Sequence, residues 1–308
     1  MIKKLERKRI ITNIFKYLSI ISTILIIVCF YFAIINNDTS KDYSLYYILF
    51  ITALIFNMVI YKITMSNYID DYKDYFVNKL KEYFDEAEYL KYNNLDISDL
   101  LKAIGLNNTT KVTHFFPIEV YKRRLKEQDD FFSGKYKNIS FRQYHLRIRI
   151  ITGDLIPPSV DQFYRRLSYD TINGIITEID MDLCKIPLLI NSKMFWLNVN
   201  YDNVKINDKD FEERFPYIES EDSDLALKFL NKKNIDKLLD FSNNLISKEY
   251  AIFFYNEKVY IIQNKFMPFN PNLNVKVNEK KSIEEIIRNT YYIKKFIDLF
   301  KGANNENE

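Results

Sequence analysis

YLSIISTILIIVCFYFAII, Tyr17 to Ile35, and YSLYYILFITALIFNMVIY, Tyr43 to Tyr61, decide how the rest of the chain is read. Each run holds 19 residues without a charge. At about 1.5 Å of rise per residue, a helix of that length measures roughly 29 Å, the depth of a bilayer's hydrocarbon core. A buried helix of a soluble protein can also be apolar all round. Two runs of bilayer length parted only by the polar linker Asn36–Asp42 (NNDTSKD) instead point to a transmembrane hairpin with antiparallel arms. A cleaved signal peptide would match the basic start, but the first run is too long and no small-x-small site follows it.

Charge gives the hairpin an orientation. Residues 1–16 carry Lys3, Lys4, Arg7, Lys8, Arg9 and Lys16 against Glu6 alone, a net +5 out of +3 for the whole chain, which leaves −2 for the remainder. Only Lys41 lies in the linker, and Lys62 and Lys73 follow the second run. The excess of cations before the first run and after the second places both termini in the cytoplasm. The expected location is therefore a membrane that the chain crosses twice, with the lipid bilayer as first partner. The near-neutral body argues against nucleic acid. Tyr17, Tyr43, Tyr46, Tyr47 and Tyr61 lie near the run ends, where amphipathic aromatics favour headgroups. Asn57 is the one amide within the runs, either a hydrogen bond across the hairpin or a tolerated polar residue. Two cysteines, Cys29 and Cys184, make no disulfide framework.

Beyond the hairpin the pattern divides into blocks. Residues 62–112 read as a helical stalk, with Ile69, Tyr72, Phe76, Leu80 and Tyr83 at three- and four-residue steps and a second helix over Ser98–Ile104. Residues 114–206 read as strands. In NISFRQYHLRIRI the apolar phase moves from odd positions (Ile139, Phe141) to even ones (Leu146, Ile148, Ile150), which suggests a β-bulge near Arg142–His145. Ile172–Met181 and Lys185–Ile190 are further strands, and Pro157-Pro158 marks a loop. From Asp208 to about Asn244 the pattern is helical. A hairpin turning at Asn256-Glu257-Lys258 follows, then a helix opened by a Ser282/Glu285 capping box and closed by Gly302. Residues 302–308 should fray. The fold class expected is α+β: a membrane hairpin, then a mostly antiparallel sheet with packed helices in one domain, residues 113–301.

Several segments carry a resemblance to a known family. They are DDFFSGKYKNISF at 129–141, TINGIITEIDM at 171–181, DKDFEERFPYIESEDSDLALKFL at 208–230 with Phe211, Phe215, Asp222 and Ala226, and the 250–263 hairpin with the MPFNPNL loop. In this order, behind a membrane hairpin, they resemble DUF3137, a bacterial family of unknown function with N-terminal transmembrane helices. Two departures are Phe229-Leu230-Asn231 where the family has Leu-Thr-Pro, and Ile172-Asn173-Gly174 where it has Phe-Lys-Gly. The resemblance implies no activity, ligand or catalytic residue.

Chemistry-bearing residues are few. His114 and His145 with Asp129 and Asp130 could in principle bind a metal, but the spacing is not that of a ligand set. Cys184 has no nucleophile context. Five glycines leave little material for a phosphate-cradling loop. Glu219, Glu221, Asp222 and Asp224 could hold a cation, or more simply cap a helix. Lys122, Arg123, Arg124 and Lys126 could lean toward anionic lipid, or form a solvated helix face. Phe211 and Phe215 read as core. No catalytic, metal or cofactor residue is assigned. The leading expectation is a membrane-anchored binding or scaffold module with a protein partner at the membrane, and homo-oligomers are possible. The alternative is a membrane-tethered enzyme, a hydrolase, with His145 and the 219–224 acids as its first residues to test.

Overall fold

The computed structural model describes residues 1–35, 44–90, 109–115, 118–154, 167–195, 197 and 201–301. Within these, side chains are described except at 29–30, 32–35, 44–47, 49, 109–129, 148–154 and 167–171. The fold is α+β with two N-terminal apolar helices. It divides into two units: Met1–Leu80 with Phe269–Ile286, and Lys81–Pro268 with Ile287–Glu308.

The first unit is built on α1 (Ile2–Ile35) and α2 (Ser44–Phe76), two helices long and apolar enough to cross a membrane. Their apolar windows are almost unburied. Ile24 is 53% exposed and Phe56 61%. Asn57 Nδ2 donates to Ser22 Oγ at 3.2 Å, so the lone amide bridges the two helices. Fourteen residues along each helix, the Lys8 ammonium meets Asp71 at 2.6 Å. At this end the packing inverts, and Leu5, Tyr68, Tyr72 and Phe76 are buried. The segment Phe269–Asn278 docks on the same end. Arg9 and Asn13 both donate to Leu273 O, at 2.8 and 2.9 Å, and Glu6 accepts from Val277 N at 3.0 Å.

The predicted stalk is helical only to Glu82, through a 3₁₀ turn at Val77–Glu82. Residues Asp85–Leu90 then form β1, because their backbone pairs with Phe131–Lys135 of the sheet. The three- and four-residue pattern holds through Leu80, which is buried, and fails at Tyr83, which is exposed. The helix expected over Ser98–Ile104, the Pro157-Pro158 loop and the 302–308 tail lie outside the described residues.

The second unit is an antiparallel sheet of β1, β2 (Thr109–Phe115), β3 (Ile118–Tyr136), β4 (Ile139–Asp154), β5 (Leu167–Ile179), β6 (Leu188–Asn191), β7 (Asp202–Asn203), β8 (Tyr217–Ser220), β9 (Tyr250–Tyr255) and β10 (Lys258–Asn264). Their spatial order is β1-β3-β4-β5-β10-β9-β6-β8-β7, with β2 also on β3. The hairpin turns are Lys137-Asn138 and Asn256-Glu257, both pairs at positive φ, as a two-residue turn that follows the strand twist requires.

Both faces of this sheet are covered, which explains the phase change in β4. On one face Tyr144, Leu146, Ile172, Ile176, Phe253 and Ile262 share a core with Phe195 and Leu197. On the other, Phe141, Ile175, Ile179, Phe254 and Ile261 are buried. The bulge predicted in β4 is in its partner: Asp129 pairs with His145 and Phe131 with Tyr144, leaving Asp130 as the extra residue, at φ 49°.

Three short helices and one long one accompany the sheet: α3 (Lys209–Arg214), α4 (Ser223–Phe229), α5 (Lys232–Ser242) and α6 (Glu279–Lys301). Asp208, Asp222 and Asn231 cap the first three by accepting from Phe211 N, Leu225 N and Asn234 N. The stretch expected to be helical throughout is therefore interrupted by β8, which starts directly after Pro216, a residue that cannot continue a helical ladder. α6 starts a turn before the expected Ser282, because Asn278 Oδ1 accepts from Lys281 N. Residues 269–286 belong to the first unit, and 81–90 and 109–112 to the second.

A buried polar cluster joins the covered sheet to α6. Gln143 Nε2 donates to Tyr292 Oη of α6 at 2.7 Å, and the phenol also shares a hydrogen bond with Thr177 Oγ1. Burial pushes the Tyr292 phenol up to about 12, against the pull of Thr177 and Gln143.

Candidate functional site

The residues singled out in the sequence do not converge. His145 is on β4, with Nε2 3.2 Å from Asn173 Oδ1. The acidic turn follows β8, five strand steps away in the sheet order. At about 4.8 Å per strand this separates the two by roughly 24 Å. Asp130 accepts from the Tyr89 hydroxyl at 2.8 Å. His114, Asp129 and the basic run 122–126 lie on β2 and β3, in strands rather than a helix, and their side chains are outside the described set. Of the acids, Glu219 is buried in β8 and Asp222 caps α4, which is the simpler of the two roles expected of them. Cys184 is buried, and desolvation pushes its thiol up, away from the thiolate that reacts. Among the described residues, no group of three or more His, Cys, Asp or Glu side chains is placed to hold a metal ion.

What does converge is an open cleft of about 610 Å³ in the sheet unit. Phe211 and Phe215, the paired phenylalanines of α3, support its floor. Their rings lie 4.8 Å apart, and Phe215 meets the edge of Tyr250 at 5.9 Å. Both phenylalanines are fully buried, as expected. The strand side of the cleft contributes Lys193 and Met194 after β6 and Lys248 before β9, while α3 contributes Asp210, Glu213 and Arg214. The loop after α5 adds Ile246. Met194 is 63% exposed and Ile246 47%. Arg214 donates to Asn243 Oδ1 at 2.6 Å, which steadies one edge of the guanidinium. Burial raises the Tyr250 phenol above its ordinary range, while Ser242 and the charge of Arg214 pull it back.

The hydroxyls here serve the backbone. Ser192 Oγ accepts from Tyr250 N and donates to Lys248 O, both at 3.0 Å. Ser242 Oγ donates to Leu239 O at 2.7 Å, and Ser247 Oγ to Asn264 O at 2.7 Å. Among the described residues of the cleft, none of these three serine hydroxyls is bonded to a histidine or a carboxylate, the arrangement that activates a nucleophile. The cleft offers charged and apolar surface on rigid walls, which suits recognition. Sequence reasoning missed it because its lining comes from three separated segments, residues 192–194, 210–214 and 242–250. The only local signal was the Phe211/Phe215 pair beneath it.

Comparison of the chain with known protein families, with curated proteins and with solved structures finds no match.

Proposed function

We propose that this chain is a membrane-anchored binding or scaffold module and a divergent member of the DUF3137 family. In this reading α1 and α2 cross the inner membrane of a bacterium as a multi-pass hairpin. Both termini are cytoplasmic, and the sheet unit engages a protein partner through its cleft. The observation that carries it is the outward apolar belt of the first unit. Ile20, Ile24 and Ile27 on α1 and Ile51, Ile55 and Val59 on α2 are all more than 40% exposed. In water that surface would drive association; in lipid it is the solvated state.

Two measurements on the full chain test this. Alkaline carbonate washing should leave the protein in the membrane pellet. A thiol reagent that cannot cross membranes should label Ser40→Cys in intact spheroplasts and reach Lys193→Cys only after lysis. Release by carbonate, or labelling of Lys193→Cys in intact cells, overturns the reading. Adding Ile24→Lys and Ile55→Lys should weaken integration by about 2.5–3.5 kcal/mol for each cation at mid-bilayer.

A further inference from the structure

The basic start of α1 divides into paired and unpaired cations. Lys4 and Lys8 reach Asp71 at 3.7 and 2.6 Å, and Arg9 holds Glu6 at 2.7 Å. Lys3 and Arg7 are exposed and, among the described residues, pair with no acid. Both line an open pocket of about 400 Å³ that lies wholly within the first unit. Lys276 adds a third cation to it. The docked segment puts that lysine there, because Arg9 and Asn13 hold Leu273 O while Val277 N donates to Glu6. Glu6 is the one acid among the described residues that line the pocket. Its carboxylate is already taken by Arg9 Nε, Arg9 Nη2 and Val277 N. The pocket therefore keeps an excess of positive charge.

The remaining walls are apolar and include Ile2, Ile10 and Ile11. From them an apolar strip runs along α1 into the first charge-free run. Lys3, Arg7, Ile10, Ile14, Leu18 and Ile21 follow at three- and four-residue steps, which places them on one helix face. Ile10, Ile14, Leu18 and Ile21 are 46%, 51%, 40% and 52% exposed. Cations thus stand at one end of a continuous apolar track whose other end enters the span. A phospholipid has that division, with phosphate at one end and hydrocarbon at the other. A free phosphate would use the cations and leave the track bare.

We infer that this pocket is a site for one anionic phospholipid. Its phosphate and headgroup lie between Lys3, Arg7 and Lys276, and an acyl chain follows Ile10, Ile14, Leu18 and Ile21. The inference rests on the proposed anchoring of the hairpin, which sets these residues at the cytoplasmic boundary of the bilayer. Each Lys or Arg close to that surface strengthens attraction to anionic lipid about fivefold.

The test uses the full chain in mixed vesicles of phosphatidylcholine and phosphatidylglycerol. Trp196, the one tryptophan, is changed to Phe, and Ile14→Trp reports from the strip. Lipids brominated on their acyl chains quench a tryptophan they touch. Brominated phosphatidylglycerol should associate with the Ile14→Trp reporter about tenfold more tightly than brominated phosphatidylcholine. Lys276→Ala should lower this preference about fivefold, and Lys3→Ala with Arg7→Ala should abolish it. Lys280→Ala with Lys281→Ala removes the same charge from the same unit outside the pocket, and should leave the preference intact. Equal quenching by the two lipids, or an equal loss on removing Lys280 and Lys281, overturns the inference. So does loss of the preference when inorganic phosphate replaces chloride at the same ionic strength, which would mark a phosphate site without lipid. Flotation of the same vesicles separates the site from the anchor. A chain that floats without lipid preference keeps the anchor and loses the site, and a chain that does not float loses both.

Discussion

The first unit and the sheet unit solve packing in opposite senses. In α1 and α2, over the two apolar runs, the large apolar side chains are exposed and the polar pair Asn57 and Ser22 joins the helices. In the sheet unit, Phe141, Ile176, Phe253 and Ile261 are buried, and exposed lysines such as Lys193 stand outside. The same residue types stand outside in one unit and inside in the other, so composition alone does not set burial; in the proposed reading the surrounding solvent does. In lipid no hydrophobic force draws helices together, and close packing and hydrogen bonds must suffice. In water, burying apolar area is the dominant favourable term. The first unit contains both regimes. Past Lys16 and Lys62 its helices bury Tyr68, Tyr72 and Phe76 and pair Lys8 with Asp71.

The largest test of this contrast falls on the sheet. A Cβ at Gly174 would lie 2.0 Å from Gln263 O, a backbone atom of the neighbouring strand. Gly174→Ala should therefore cost more than about 4 kcal/mol and unfold the sheet unit, while membrane integration of the hairpin persists. Limited proteolysis of the membrane-bound protein reads both at once. A Gly174→Ala sheet as resistant as the wild type would show that the β5–β10 register is wrong.

A smaller effect is expected at the buried polar group. Tyr292→Phe removes the hydroxyl that accepts from Gln143 and hydrogen-bonds with Thr177, and should cost about 1–3 kcal/mol in chemical unfolding. The phenol also sets an alkaline limit. Its folded value of about 12 is above the ordinary value of about 10, so its neutral form is favoured by folding. That stability is fully present below pH 10 and declines as pH rises from about 10 through 12. The wild type should lose stability across this window and Tyr292→Phe should lose less. Parallel alkaline curves would remove the assignment.

The smallest effect belongs to the hairpin. Asn57→Leu breaks the hydrogen bond to Ser22 and should cost about 0.6 kcal/mol of helix–helix association in lipid, with the melting of the sheet unchanged. A change in sheet melting would contradict the separation of the two regimes.

How much of this was legible depended on the distance over which each signal acts. The helical state of the apolar runs, the Asn256-Glu257 turn and the capping role of Asp222 are local, and each was read correctly. β1 was misread as stalk because its strand state comes from pairing with Phe131–Lys135, some forty residues away. The bulge was assigned to β4 because a phase change was taken for an inserted residue. Its cause is a second covering layer, which makes Gln143 and Tyr144 both buried. The cleft left no trace beyond Phe211 and Phe215, since Lys193, Arg214, Ile246 and Lys248 meet only after the sheet has formed.

The sequence by itself determined that the two apolar runs are helical, because a run of apolar residues acts on its immediate solvent whatever the rest of the chain does, but not the length of the helices, which extend beyond the runs to Ile2–Ile35 and Ser44–Phe76. It also determined the α+β class, through the periods of its blocks. Tertiary structure alone decided which residues share a surface: that His145 and the acidic turn stand five strands apart, that residues 269–286 join the first unit, and that the cleft and α4 occupy opposite ends of β8. The reason is physical. Strand order and register arise from backbone pairing between distant segments, which residue type constrains only weakly.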